Sequence, residues 1–286
     1  MDKICRLKFV LVPRRFLRGY QLGAVVPFAL MHLGVAAVFL FPPSRQWLFW
    51  LAASYCLRMF AVTAGYHRYF SHRSYKMERW AQFGMAFLSQ TSSQKGVLWW
   101  AAHHRQHHRH SDDDQDIHSP VQRGFWWSHV GWILTNEYDT YDPKAIADFA
   151  RFPELRWLDR YHWVPTVVYA AAIFLMGGPG AFVWGYVVAT VVLFHCTFSI
   201  NSLAHVFGTR RLATADESRN NWLPALITFG EGWHNNHHFS MGSCRQGYRW
   251  WELDITYGVL KLLAALGLAR DLRPFRIPAA AAREAK

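Results

Sequence analysis

Between positions 103 and 108 the chain reads HHRQHH, four imidazoles in six residues, with His110 and His118 within the next ten. Two further clusters accompany it: HRYFSH, carrying His67 and His72, and HNNHH, carrying His234, His237 and His238. HHRQHH and HNNHH share the pattern H-x-x-H-H. On an α-helix, residues i, i+3 and i+4 lie on one face, so His104, His107 and His108 are expected to converge on one point, as are His234, His237 and His238. Convergent neutral imidazoles are ligands for iron, copper, nickel or zinc. Two trios and a spaced pair exceed the four ligands of a closed zinc site and suit two metal ions. The clusters hold neither Cys nor Met, which argues against Cu(I), and nitrogen-rich sites of five or six ligands point to iron. No carboxylate lies inside either trio, in contrast to carboxylate-bridged di-iron bundles. The nearest acids, Glu231 and Asp112, are expected to fix imidazole tautomers from behind.

Spacing leaves other histidines open. His103 and His110 share a helix face with His107, at i−4 and i+3, and either can serve as a ligand. His205 closes NSLAH at the end of an apolar run, where both an interfacial and a metal role are available. His32 and His195 lie inside apolar runs, where polar residues either bond helices together or mark function. His118, His129 and His162 are read as structural. The four cysteines, Cys5, Cys56, Cys196 and Cys244, form no C-x-x-C and are read as packing residues.

Residues so placed need elements to hold them, and the charge pattern identifies those elements. Gly19 to Ser44 contains no Asp, Glu, Lys or Arg, nor does Tyr161 to Thr209, in a chain that is 17% charged. Each run exceeds the roughly 20 residues that cross about 30 Å of hydrocarbon. The second crosses twice, with GGPG at 177 to 180 as the turn. A third apolar stretch, Gln46 to Tyr66, is interrupted only by Arg58. These runs predict four spans, about 22–41, 47–65, 163–180 and 182–202. The tail before the first span holds six Lys or Arg against one Asp, whereas the short turn at 41–46 holds one Arg and GGPG none. Both turns therefore face outward, and the N-terminus, 66–160 and the C-terminal segment face the cytosol. The first apolar run is too long for a signal peptide and is read as an uncleaved span. The net charge of +12 suits anionic headgroups; it is spread over tails rather than gathered on one element, which argues against nucleic acid. The Ala-rich end, 273–286, is read as disordered.

With these boxes in order, HRYFSH, HHRQHH, GFWWSHVGW, NSLAH, GEGWHNNHH and YRWWELDITYGVLKLLAALGLARD, the chain resembles the membrane fatty acyl desaturases of the stearoyl-CoA desaturase type. The likeness runs from about residue 25 to 272 and covers a single domain, 1–286. It implies an all-α integral membrane protein of four transmembrane helices, with a cytosolic helical cap from 66–160 and 203–272 holding a histidine-ligated di-iron centre. By that resemblance the metal ligands are His67, His72, His104, His107, His108, His205, His234, His237 and His238, with Asn201 near the metal through a water. His205 then becomes a ligand, and His103 and His110, like Glu231 and Asp112, stand behind the ligands.

The activity implied is O₂-dependent introduction of a cis double bond, delta-9 by family, into a saturated acyl chain. Removing hydrogen from an unactivated methylene needs a metal oxidant that no side chain provides. The chain has no C-x-x-C-H, no G-x-G-x-x-G and no Cys-rich iron–sulfur pattern, so electrons must come from a separate donor, a ferredoxin or a cytochrome b-type protein. A lipid hydroxylase on the same scaffold is the alternative enzyme. A bis-histidine haem carrier or metal transporter would need fewer ligands, and an intramembrane zinc protease would need H-E-x-x-H, which is absent. Animal acyl-CoA members place cations where this chain has Ala102, Asn136 and Glu137. The second box also resembles bacterial and cyanobacterial members acting on glycerolipids, so an acyl chain in membrane lipid is expected ahead of acyl-CoA. Arg123 and Arg210 are the alternative phosphate partners.

Overall fold

The computed structural model of the protein describes residues 19–276. The basic N-terminal tail, Cys5 and the last ten residues lie outside the described residues. The described chain is helical, without strands; four isolated bridges are its only β pairings.

Three helical segments are long and apolar enough to cross a membrane: Leu22–Phe39, Arg45–Ser71 and Trp163–His205. The first comprises α1, Leu22–Gly34, and a 3-10 extension through Phe39. The second begins as α2, Arg45–Phe60, where the Ser44 side chain accepts the Trp47 N–H. It continues as an eleven-residue π-helix, Ala61–Ser71, in which every residue is buried. The third combines α9, Trp163–Ala181, a π-helical stretch Phe182–Val188, and α10, Ala189–Ser202. Its 43 residues are broken at Gly178, whose φ of 72° and ψ of −168° leave the helical region and suit a residue without Cβ. The two halves fold back on each other. A Cβ on Gly185 would stand 3.4 Å from Ile173, and Tyr169 and Tyr186 flank one guanidinium, that of Arg58. Arg58 is buried without an acid; its Nη1 donates to Thr190 Oγ1 at 2.6 Å and its Nη2 to the Gly185 carbonyl, inside the π-helical stretch that frees backbone groups.

The polar segments build one cap. It contains α3 (Arg79–Gln90), α4 (Val97–His110), the short α5 (Pro120–Arg123), α6 (Phe125–His129), α7 (Ala147–Ala150) and α8 (Pro153–Arg160). After α10 follow α11 (Trp222–Ile227), α12 (His234–Phe239) and α13 (Ile255–Ala265). The N-terminus of α4 is capped from another helix: Asp159 of α8 accepts the N–H groups of Leu98 and Trp99 at 2.8 and 2.9 Å. The chain does not become free at 273. Arg273 N–H donates to Ser74 and its carbonyl accepts from Cys244, and Phe275 stacks on Tyr248, so order extends into the segment expected to be disordered.

Candidate metal centre

The H-x-x-x-x-H spacing of His67 and His72 sets residues five apart, which an α-helix would turn away from each other. The π-helix removes the difficulty, because its i→i+5 hydrogen bonding stacks such residues one turn apart. The two Nε2 atoms lie 3.1 Å apart. Gly65 lets this wide helix press on α3: a Cβ there would meet Ser89 Oγ at 2.1 Å, and that hydroxyl donates to the Ala61 carbonyl.

The box arginines lock the elements together. Arg105, inside HHRQHH, donates to the Ser71 and Phe70 carbonyls at the end of the π-helix and pairs with Asp148 at 2.9 Å. Arg68, between the first-box histidines, is fully buried and pairs with Glu231 at 3.0 Å and Asp254 at 2.9 Å. The asparagines of HNNHH fix α12. Asn235 Oδ1 accepts the backbone N–H groups of Arg211 and Leu212, and Asn236 bridges Arg211, Asn220, Gln246 and Glu252.

These constraints gather nine imidazoles into two groups, His67, His72, His104, His108 and His237 in one and His107, His205, His234 and His238 in the other. The trios do not converge as the helical face predicts. In α4, His104 and His108 (i, i+4) join the first group while His107 (i+3) joins the second. In α12, His234 and His238 join the second while His237 joins the first. The forty-degree difference between one full turn and i+4, and the sixty-degree difference for i+3, splay the side chains to opposite sides of the shared face.

In the five-membered group the Nε2 atoms form a closed circuit. His67 to His72 is 3.1 Å, His72 to His104 2.9 Å, His104 to His108 3.0 Å, His108 to His237 2.9 Å and His237 to His67 3.0 Å. His67 Nδ1 is engaged by Glu231, so its Nε2 faces the circuit as a lone pair. The spacing is that of a shared cation: adjacent ligands of an octahedral set with bonds of about 2.1 Å stand about 3.0 Å apart, against about 3.4 Å in a tetrahedral set. A circuit of five adjacent ligands fits an octahedron with one vertex open. In the second group His205 and His234 have Nε2 atoms 3.0 Å apart, and the buried Nε2 of His238 has no other partner. The residues present therefore fit two six-coordinate-type metal ions.

Carboxylates stand behind four of these rings. His205 Nδ1 donates to Asp112 at 2.8 Å, His107 Nδ1 to Asp116 at 3.0 Å and His238 Nδ1 to Asp216 at 2.6 Å; His67 Nδ1 pairs with Glu231. Each contact turns Nε2 towards the group centre. Burial alone would raise these acids. The His205 and Ser119 contacts hold Asp112 at about 2, His67 and Arg68 hold Glu231 at about 2, and Asp116 and Asp216 fall further below the usual range beside His107 and His238. Burial and mutual repulsion push His72, His104, His108, His234 and His237 well below the usual imidazole value, so all are neutral at pH 7.

Other sequence candidates fall elsewhere. His103 packs against Trp99 and Trp132, its Nε2 donates to the Tyr138 carbonyl at 2.9 Å, and burial lowers it to about 4. His110 pairs with Asp113 at the surface. Neither is in a group. His32 and His195 meet through Nε2 atoms at 3.0 Å, and His195 continues to His129, so they link helices. His118, read as structural, instead joins His107 and Asp116 in a third set of side chains able to hold a metal; its ring centroid lies 4.3 Å from that of His107, and burial lowers it to about 3. Sequence reasoning missed Asp116 and Asp216. The acidic run DDDQD after the second box was a visible signal for the first; Asp216, in TADES, carried none.

A cavity of about 740 Å³ ends at this centre. His104, His118 and Asn201 line it there, and Trp100, Trp132, Phe194 and Phe198 give it apolar walls. Trp100 stacks on the His104 ring at 4.9 Å.

Comparison with known proteins converges on one chemistry. The model of the family described as fatty acid desaturase matches residues 45–271. The chain is 38% identical over 231 residues to an sn-2 palmitoyl-lipid 9-desaturase of Nostoc sp. (strain 36), covering 79% of each chain. It is 35% identical to an sn-1 stearoyl-lipid 9-desaturase of Anabaena variabilis, over 88% of this chain and 94% of that one. An acyl-CoA 5-desaturase of Anemone leveillei is 37% identical, over 84% and 75%.

Proposed function

The chain belongs to the fatty acid desaturase family, and from that premise we propose that it is a di-iron acyl-lipid desaturase placing a cis double bond, delta-9, in a saturated chain of a membrane glycerolipid. The nine-imidazole centre at the end of an apolar cavity carries this reading. His67, His72, His104, His108 and His237 would hold one iron, and His107, His205, His234 and His238 the other, with Asn201 near the metal through a water. When bound, the irons supply the oxidant that removes two hydrogens from adjacent methylenes. Per turnover O₂, two electrons and two protons join those hydrogens as two waters.

The chain's own residues do the positioning. Trp100, Trp132, Phe194 and Phe198 exclude water and hold the acyl chain extended beside His104. Asp112, Asp116, Asp216 and Glu231 hold protons on Nδ1 and keep each Nε2 lone pair inward. No electron carrier motif accompanies them, so a ferredoxin or cytochrome b-type donor docks on the cap. The fold-back at Gly178 supports four spans, with cap and both termini in the cytosol and the chain multi-pass in its membrane.

Lipid is favoured over CoA by the alternative phosphate partners. Arg123 is engaged by Glu137 at 3.2 Å and lies over Trp127, and Arg210 is engaged by Glu217 at 3.0 Å. Both guanidiniums already face a carboxylate that would compete with phosphate, and Ala102 is buried and offers no cation. Expression in a host lacking desaturation, followed by lipid analysis, tests the reading. Products two hydrogens lighter are expected, whereas products heavier by one oxygen would make the enzyme a hydroxylase. Purified enzyme given labelled stearoyl-CoA beside labelled phospholipid should convert the phospholipid; rapid conversion of the CoA ester before label reaches lipid would refute the lipid assignment.

A further inference from the structure

The cavity that ends at His104 has another end, beside the start of α1. Gln21, Gly23 and Pro27 line it there and are exposed. Trp163, the first residue of α9, also lines the cavity and is 56% exposed. Gly23, Pro27 and Trp163 belong to the apolar segments long enough to cross a membrane. They sit at the cap-side ends of those segments, since the Gln21 N–H donates to the Leu134 carbonyl of the cap. The same residues thus face both the cavity and the bilayer. No residue of α1 is buried, and Leu22, Leu30 and Leu33 are exposed, so this helix is a wall one helix thick between hydrocarbon and cavity. Lys95 and Asp139 form a 2.7 Å ion pair on the wall of the same cavity, each partly exposed. Polar groups and an apolar opening on one cavity repeat the pairing of head group and chains in a lipid leaflet.

We propose that the cavity opens sideways into the bilayer between α1 and α9, and that this opening is a portal by which one acyl chain of a membrane glycerolipid enters while its ester and head group stay at Gln21, Lys95 and Asp139. The inference rests on the reading of a membrane-lipid substrate. It gives that reading a physical route: the chain passes from one apolar medium to another, and the polar head never crosses hydrocarbon.

Gly23 supplies the test, because a Cβ there meets nothing within 4 Å. Gly23→Phe adds a bulky ring at a position that lines the mouth and has open space for its Cβ. Gly258 of α13 also meets nothing within 4 Å, and Gly258→Phe is the matched control. Iron-loaded protein with its electron donor is given vesicles of phosphatidylglycerol bearing stearoyl chains. Gly23→Phe should slow lipid desaturation at least about tenfold, with iron content and melting midpoint unchanged and Gly258→Phe as active as the unaltered protein. A Gly23→Phe protein as fast as the unaltered one overturns the portal. If that variant loses iron or stability, the plug is added after folding: Gly23→Cys, in a chain freed of its native cysteines, is modified with a bulky thiol reagent. Loss of activity reversed by reduction then supports the portal, and undiminished activity overturns it. Unaltered protein that ignores vesicle lipid but converts stearoyl-CoA refutes the lipid reading itself; lipid conversion unhindered by both plugs refutes the portal alone.

Discussion

The carboxylates are unevenly shared between the two histidine groups, and that asymmetry predicts which metal ion a single substitution releases. Asp112, Asp116 and Asp216 all stand behind the four-histidine group, whereas Glu231 alone stands behind the five-histidine group. Asp216 accepts His238 Nδ1–H at 2.6 Å, and is oriented by the Ser218 N–H at 3.0 Å. A hydrogen bond to a charged acceptor contributes about 1.5–3 kcal/mol and a neutral one about 0.5–1.5. Asp216→Asn therefore weakens His238 as a ligand by about 1–1.5 kcal/mol, close to tenfold in metal affinity. Asp216→Ala also leaves a buried N–H unpaired, and the loss rises towards about 3 kcal/mol, roughly a hundredfold. The assay is titration of metal-free protein with Co²⁺, followed by its visible bands. One of two equivalents should weaken, in the order Asn then Ala, and the other should hold. Glu231→Gln should weaken the opposite equivalent. Asp113→Asn, whose side chain meets the surface His110 and the Gln115 N–H and no member of either group, is the control. Equal weakening of both equivalents by Asp216→Ala, or an equal effect of Asp113→Asn, would refute the division of the nine histidines.

Two further outcomes follow from burial and packing. His72, His104, His108, His234 and His237 have folded values below the unfolded value of about 6.5, so the unfolded chain takes up protons first as pH falls. Their contribution is complete above about 6.5 and is lost on acidification, at about 1.4 kcal/mol per pH unit for each histidine protonated only on unfolding. The melting midpoint of metal-free protein should fall between pH 7 and 5, and a midpoint that rises there contradicts the assignment. Gly65→Ala drives a methyl against Ser89 Oγ, and the displaced π-helix should cost about 1–3 kcal/mol and loosen metal held by His67 and His72; unchanged melting and metal content would show that the helix does not depend on this close approach.

Much of the fold is legible because hydrocarbon imposes a simple rule on sequence. Charge-free runs marked the first and third apolar segments, an apolar run interrupted only by Arg58 marked the second, and GGPG marked the place where the third doubles back at Gly178. The second segment runs beyond its expected end, through Ser71, because residues 61–71 remain helical as they leave the apolar stretch and enter the cap. Nothing in HRYFSH announces a π-helix. Its hydrogen-bond register is imposed by tertiary contacts, the Ser89 hydroxyl on the Ala61 carbonyl and Arg105 on the Phe70 and Ser71 carbonyls, and those partners lie 28 to 35 residues away. The carboxylates divide in the same way. Asp112 and Asp116 follow their box closely enough to be suspected, whereas Asp216 reaches His238 only because the 206–220 loop is folded over α12.

The largest departure from the sequence reading, the division of each H-x-x-H-H trio between two groups, also explains the pattern itself. A trio aimed at one point would make two separable centres, each on its own helix. Sharing makes α4 and α12 contribute to both groups, so each group is held by at least two elements distant in sequence: the first by the π-helix and the residue after it, α4 and α12, the second by α4, the 3-10 turn Leu203–His205 after α10, and α12. A six-residue helix such as α12 is too short to be stable alone. Its asparagines and its three histidines tie it on one side to the 206–220 loop and on the other to both groups. Metal binding is then coupled to the folding of the whole cap, and the i, i+3, i+4 spacing is the shortest helical motif that places ligands on both sides of one shared face.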